Sequence, residues 1–130
     1  MKKTNGFTLI ELLAVIVILA IIAVIATPII LGVINSAKKN AAASSAAGFV
    51  QSIISQVQFS ELGIEGYPSL GTIVNNSNKG TVKSSGKIPE IVKVNINTNG
   101  TYGGCLKVDN YSFLVSTTGT VSATDTVCTE

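Results

Sequence analysis

Few side chains in these 130 residues are of a type that does chemistry. There is no histidine, arginine or tryptophan, and the seven acids are scattered. The missing histidine removes the commonest general base and metal ligand. No nucleophile has a base partner at a useful spacing, so neither enzymatic activity nor a bound cofactor or metal is expected. Three features remain. Glu11 is a single carboxylate just inside a long apolar run, Gly6 to Ile34. Intramembrane acids are rare and usually have partners, so Glu11 reads as a functional residue; its bland alternative is a carboxylate snorkelling to the headgroups.

Cys105 and Cys128 are the second feature. Their spacing is too wide for a CxxC redox or zinc motif. A pair behind an export-type segment reads as a disulfide formed outside the cytoplasm, with two unpaired thiols as the alternative. Closing such a loop of about 24 residues contributes on the order of 3 kcal/mol in the chain-entropy picture. The third feature is a set of lysines, Lys79, Lys83, Lys87, Lys93 and Lys107, that face only Glu90 between them. These make either a solvated face or a patch for nucleic acid or an anionic surface. Without interleaved aromatics, the pattern lends nucleic acid weak support. The net charge is +2, and it comes from Lys2 and Lys3; the other seven lysines equal the seven acids. Tyr67, Tyr102 and Tyr111 read as packing residues. Three glycosylation sequons begin at Asn75, Asn99 and Asn110, in sequence rich enough in asparagine for chance matches.

These residues need elements to position them. From Leu12 to Ile34 there is no charge. That is about 23 residues and about 35 Å as a helix, enough to cross a hydrocarbon core of about 30 Å. Lys2 and Lys3 keep the preceding end cytoplasmic by the positive-inside rule. Beyond Asn35, Ala46, Phe49, Val50, Ile53, Ile54 and Val57 recur at three- and four-residue steps, with Ser45, Gln51, Ser52, Ser55 and Gln58 opposite. This is an amphipathic helix. One nearly continuous helix is predicted from about Phe7 to about Phe59, ending near Gly63. Pro28 and Gly32 interrupt the pattern, as a tolerated kink or as a segment built to unwind.

After Gly63 the helical period disappears. Residues 64–88 read as a loop-rich connection. Val92, Val94 and Ile96 then alternate with Lys93, Asn95 and Asn97, and Asn99-Gly100 signals a two-residue hairpin. Asp109-Asn110 and Thr118-Gly119 mark further turns. The expected fold class is α+β: a long N-terminal helix packed through its second half on an antiparallel meander of three or four strands. The stretches are 1–6, 7–34, 35–60 and 61–130, the last holding the sheet and the cysteines.

The segment Lys2-Lys3-Thr4-Asn5-Gly6-Phe7-Thr8-Leu9-Ile10-Glu11 resembles the class III signal of type IV pilins and pseudopilins. The family pattern is a short basic leader ending in Gly, then Phe, Thr, Leu, a hydrophobic residue, Glu and a long apolar helix. The match is unbroken from Gly6 to Leu12. The resemblance implies that a prepilin peptidase cuts between Gly6 and Phe7 and N-methylates Phe7. Glu11 then supports methylation and subunit assembly. A pilus assembly ATPase and an inner-membrane platform protein are the implied partners, together with further copies of the chain in a helical homopolymer. The implied localisation is the cell membrane as a single-pass prepilin, then an extracellular filament. Helical order is lost near Pro28 in many members on assembly. Many carry a glycine where this chain has Ala20, so the unwound segment expected here is shorter. Three alternatives stay open: a pseudopilin of a type II secretion or DNA-uptake machine, a secretory signal cut after Val24-Ile25-Ala26, and an uncleaved single-pass surface protein.

Overall fold

The computed structural model describes residues 6–129. Lys2, Lys3 and most of the expected leader lie outside them. The chain divides into two compact units, Met1–Ala37 and Lys38–Glu130.

Helix α1 runs from Leu9 to Glu61 without interruption. Its first part is a helix with nothing on it: no residue from Leu9 to Ala41 is buried. Leu9, Ile10, Val24 and Val33 are all more than 60% exposed, and from Leu12 to Ile34 every side of the helix is apolar apart from Thr27. Among the described residues, one helix is thus long and apolar enough to cross a membrane, and its most apolar window is wholly unburied.

The second unit is built on the amphipathic stripe. Ala42, Ala46, Phe49, Val50, Ile53 and Val57 are buried, at helical steps of three and four. The helix ends in a Schellman motif. The Ile64 N–H donates to Phe59 O at 3.2 Å and the Gly63 N–H to Ser60 O at 3.0 Å. Gly63 adopts φ +82°, the left-handed conformation this ending requires.

The expected three or four strands are five: β1 (Ile73–Asn75), β2 (Ile91–Ile96), β3 (Tyr102–Val108), β4 (Tyr111–Val115) and β5 (Val121–Thr124). They pair antiparallel in the order β1-β2-β3-β4-β5. The additional strand β1 and a 3-10 turn at Lys79–Thr81 lie in the stretch read as loop. β1 is only three residues long, too short to show an alternation. Its register, Ile73 against Asn95 and Asn75 against Lys93, is supplied by β2.

The alternation in β2 is as the sequence predicts, with Val92, Val94 and Ile96 buried and Lys93 and Asn95 exposed. Val74 of β1, Leu106 and Val108 of β3, and Phe113 and Val115 of β4 join them in one core with the helix stripe. Gly104 sits within this sheet at φ +127°, where a Cβ would stand 1.9 Å from Lys93 O. Only glycine fits that close approach of β3 to β2.

The hairpins differ from expectation in loop length. The Asn97 N–H donates to Thr101 O at 2.9 Å and the Gly100 N–H to Asn97 O at 3.1 Å. That makes a three-residue loop, Thr98-Asn99-Gly100, rather than a two-residue turn. The β4–β5 loop repeats it, with Ser116 N–H to Thr120 O and Gly119 N–H to Ser116 O, both 2.9 Å. In each, the glycine closes the loop in the left-handed conformation, at φ +79° for Gly100 and +80° for Gly119, as three-residue hairpin loops commonly do. Asp109-Asn110 is the two-residue turn, joining Val108 to its partner Tyr111.

Candidate processing and assembly site

Gly6 and Phe7 precede the first helical residue, and both are exposed, Phe7 to 88%. The peptide bond between them therefore lies in exposed chain outside the helix. Thr8 is the N-cap and Glu11 the third residue of the helix. The Thr8 N–H donates to Glu11 Oε2 at 2.8 Å, and the Thr8 hydroxyl donates to the same oxygen at 2.7 Å. In return the Glu11 N–H approaches Thr8 Oγ1 at 3.4 Å. This is a reciprocal capping box, in which two backbone donors that a helix start leaves orphaned are satisfied. The Ser/Thr-x-x-Glu signature of this cap stands in the sequence as Thr8 and Glu11, beside the methylation and assembly role that the resemblance implies for Glu11.

The box gives a direct answer to how a carboxylate is kept in an apolar helix. Glu11 neutralises backbone dipoles at the positive end of its own helix. Phe7, Glu11, Ala14 and Val15 also line one shallow hollow on the same helix face. Both Thr8 and Glu11 lie on the C-terminal side of the Gly6–Phe7 bond, so the cap does not depend on the leader.

Pro28 and Gly32 lie inside the helix in this single chain. Pro28 has no N–H to give to the preceding turn. Next to it, the Thr27 hydroxyl donates to Ala23 O at 2.6 Å.

Cys105 and Cys128 are joined in a disulfide, with their Cα atoms 5.8 Å apart. Leu106 and Val108 face the core, so by strand alternation Cys105 faces away from it. The bridge draws the C-terminal tail over that outer side. Cys128 is buried to 2% exposure, and its N–H donates to Ser112 Oγ of β4 at 3.3 Å.

Three of the five lysines have partners of their own. Lys79 donates to the backbone oxygens of Pro89, at 2.9 Å, and Glu90. Lys83 lies over the ring of Tyr67, 5.3 Å from its centroid, and that ring packs 5.8 Å from Phe59. Lys87 pairs with Asp109, a partner outside the segment the sequence reading considered. This hydrogen bond raises the Lys87 pKa above its ordinary value. Tyr102 is half-buried; desolvation, and then the nearby charge of Glu61, raise its phenol pKa. Among the described residues, no group of three or more potential metal ligands gathers.

Sequence reading also passed over Gln56. It lies on the buried stripe at 6% exposure. Its Nε2 donates to Lys83 O at 2.8 Å, and Lys83 N–H donates to its Oε1 at 3.1 Å. One side-chain amide thus serves both backbone groups of a loop residue 27 positions away.

An apolar helix near the N-terminus, opened by the Thr8–Glu11 cap, fits a membrane-anchored precursor. Residues 1–27 match the family model described as the prokaryotic N-terminal methylation motif, which supports a type IV pilin or pseudopilin family. The motif points to a structural protein, and no enzymatic family is indicated. Comparison with curated proteins and with solved structures gave no match.

Proposed function

We propose that the chain is the structural subunit of an extracellular type IV pilus, made as a membrane prepilin. Prepilin peptidase cuts after Gly6 and methylates Phe7, and the subunits polymerise through α1. The observation that carries this reading is the exposed apolar surface from Leu9 to Ile34, most of which lies within the matched methylation motif. Such a surface is covered by lipid before assembly and by the same segment of other copies afterwards, so the exchange costs little hydrophobic free energy.

Adhesion of that kind is non-directional, and a filament needs a fixed stagger. The new ammonium of Phe7 and the carboxylate of Glu11 supply the charged landmark on the segment. Both are costly to leave unpaired among apolar helices, and pairing them between copies offsets both. Buried pairs add little net stability, but they set register. Pro28 and Gly32 mark where α1 loses helical order on assembly. The pilus assembly ATPase and the inner-membrane platform protein drive the step.

A pseudopilin of a type II secretion or DNA-uptake machine is the alternative. The Cys105–Cys128 bridge and the lack of a clustered acidic loop favour a pilin. The test is Glu11→Gln and Glu11→Ala in a chain expressed with its assembly machinery. Both variants reach the membrane but give no sheared surface filaments. Normal filaments from both overturn the register role. Mass spectrometry of the mature N-terminus separates methyl-Phe7 from Thr27, the product of an ordinary signal, and from Met1, an uncleaved anchor.

A further inference from the structure

Asn99 belongs to none of the roles above, yet its surroundings are chemically distinctive. From Asn35 onward, it is the only asparagine followed by glycine. It lies exposed in the β2–β3 loop, and nothing stands within 4 Å of where a Gly100 Cβ would be. Its amide oxygen is the end point of a hydrogen-bond relay. Asn97 Nδ2 donates to Thr101 Oγ1 at 2.9 Å, and the Thr101 hydroxyl donates to Asn99 Oδ1 at 2.7 Å. The Thr101 N–H adds a second donor to that oxygen at 3.1 Å. Chained donors polarise one another, so the Asn99 carbonyl is more strongly polarised than one facing water alone.

We infer that Asn99 is a site of spontaneous deamidation, promoted by the Asn97–Thr101 relay on its amide oxygen. The backbone nitrogen of Gly100 attacks Asn99 Cγ, and negative charge develops on Oδ1, where two donors already point. The bond from Cγ to Nδ2 breaks. Ammonia leaves, carrying the proton released from the Gly100 nitrogen, and a succinimide ring remains. Water opens the ring at one carbonyl or the other, giving aspartate or isoaspartate. No oxidant or reductant is involved. Glycine is the residue that allows ring closure, because it brings no side chain against the ring and the widest backbone freedom.

The fold also supplies a brake. The Gly100 N–H is engaged with Asn97 O at 3.1 Å, so attack requires that bond to open. Loop tips open locally far more readily than the strands they join. The rate therefore scales with the fraction of time this one loop is open, and it rises with pH, as the attacking nitrogen must lose its proton. The product places a negative charge in a loop that has none between Asn95 and Thr101. Isoaspartate also lengthens the backbone by one carbon at the hairpin joining the two strands. The inference does not rest on whether the chain polymerises.

The experiment ages the full-length chain in detergent at two pH values and follows every asparagine by peptide-mapping mass spectrometry with isoaspartate detection. Asn99 is expected to convert several-fold faster than any other described asparagine, and faster at the higher pH. Thr101→Val, which removes the relay hydroxyl but keeps the backbone donor, is expected to slow the conversion several-fold. Circular dichroism checks that this variant is folded. An amide that survives at Asn99 while other asparagines convert, or a glycan mass on Asn99, overturns the inference. An unchanged rate in Thr101→Val overturns the role of the relay.

Discussion

Gln56 is the polar side chain whose loss should cost the second unit most for its size. In Gln56→Ala, the Lys83 N–H and O each lose a partner in a part-buried setting. An ordinary hydrogen bond contributes a net of about 0.5–1.5 kcal/mol, so two contribute about 1–3 kcal/mol. With a urea m-value of about 1–3 kcal/mol per molar, the unfolding midpoint should fall by about 1 M. The chain has no tryptophan, and its three tyrosines all lie beyond Glu61. Tyrosine emission of the full chain in detergent thus reports the second unit alone. Gln51, one turn earlier and exposed, is the control, and Gln51→Ala should stay within about 0.5 kcal/mol of the parent. Gln56→Glu keeps the acceptor, loses the donor and sets a carboxylate against Lys83 O, so it should fall at least as far as Gln56→Ala. Equal midpoints for Gln51→Ala and Gln56→Ala would refute the reasoning.

Two further outcomes can be checked on the same material. Cys128→Ser should lose on the order of 3 kcal/mol, the chain-entropy value for this loop; chemical unfolding with and without reductant should show the parent falling to the variant's level when reduced. Tyr102 holds its proton above its ordinary value near 10 in the folded chain. The folded state then binds more protons than the unfolded one as pH passes that value, so stability falls with rising pH there. Unfolding midpoints followed from pH 9 upward should drop more steeply for the parent than for Tyr102→Phe.

The long-period features were the legible ones. The uncharged run to Ile34 and the stripe from Ala46 to Val57 each repeat over several turns, and the α+β layout follows from the stripe having a sheet to pack on. The Val92-Val94-Ile96 alternation repeats three times and was read correctly. What escaped was short or partnered from afar. β1 owes its existence to hydrogen bonds from β2, and Lys87 owes its ion pair to Asp109, 22 residues on. Gln56 has the composition of a surface residue and the position of a core one; only the loop at Lys83 explains it. The hairpin glycines were found, but whether a loop holds two residues or three depends on the register of both strands. The Thr8–Glu11 cap is the exception. It was local and in plain view, and it was hidden by the more interesting use of the same acid.

The strand order carries a consequence for how the second unit comes into being. Every strand pairs with its neighbour along the chain, so each hairpin closes as soon as its later half has been delivered, with little loop entropy to overcome. Cys128 arrives after all of them. Its oxidation therefore cannot misdirect strand pairing; it finds the sheet already laid down and latches it. A second unit exported from its helix onward would thus be assembled first and sealed last.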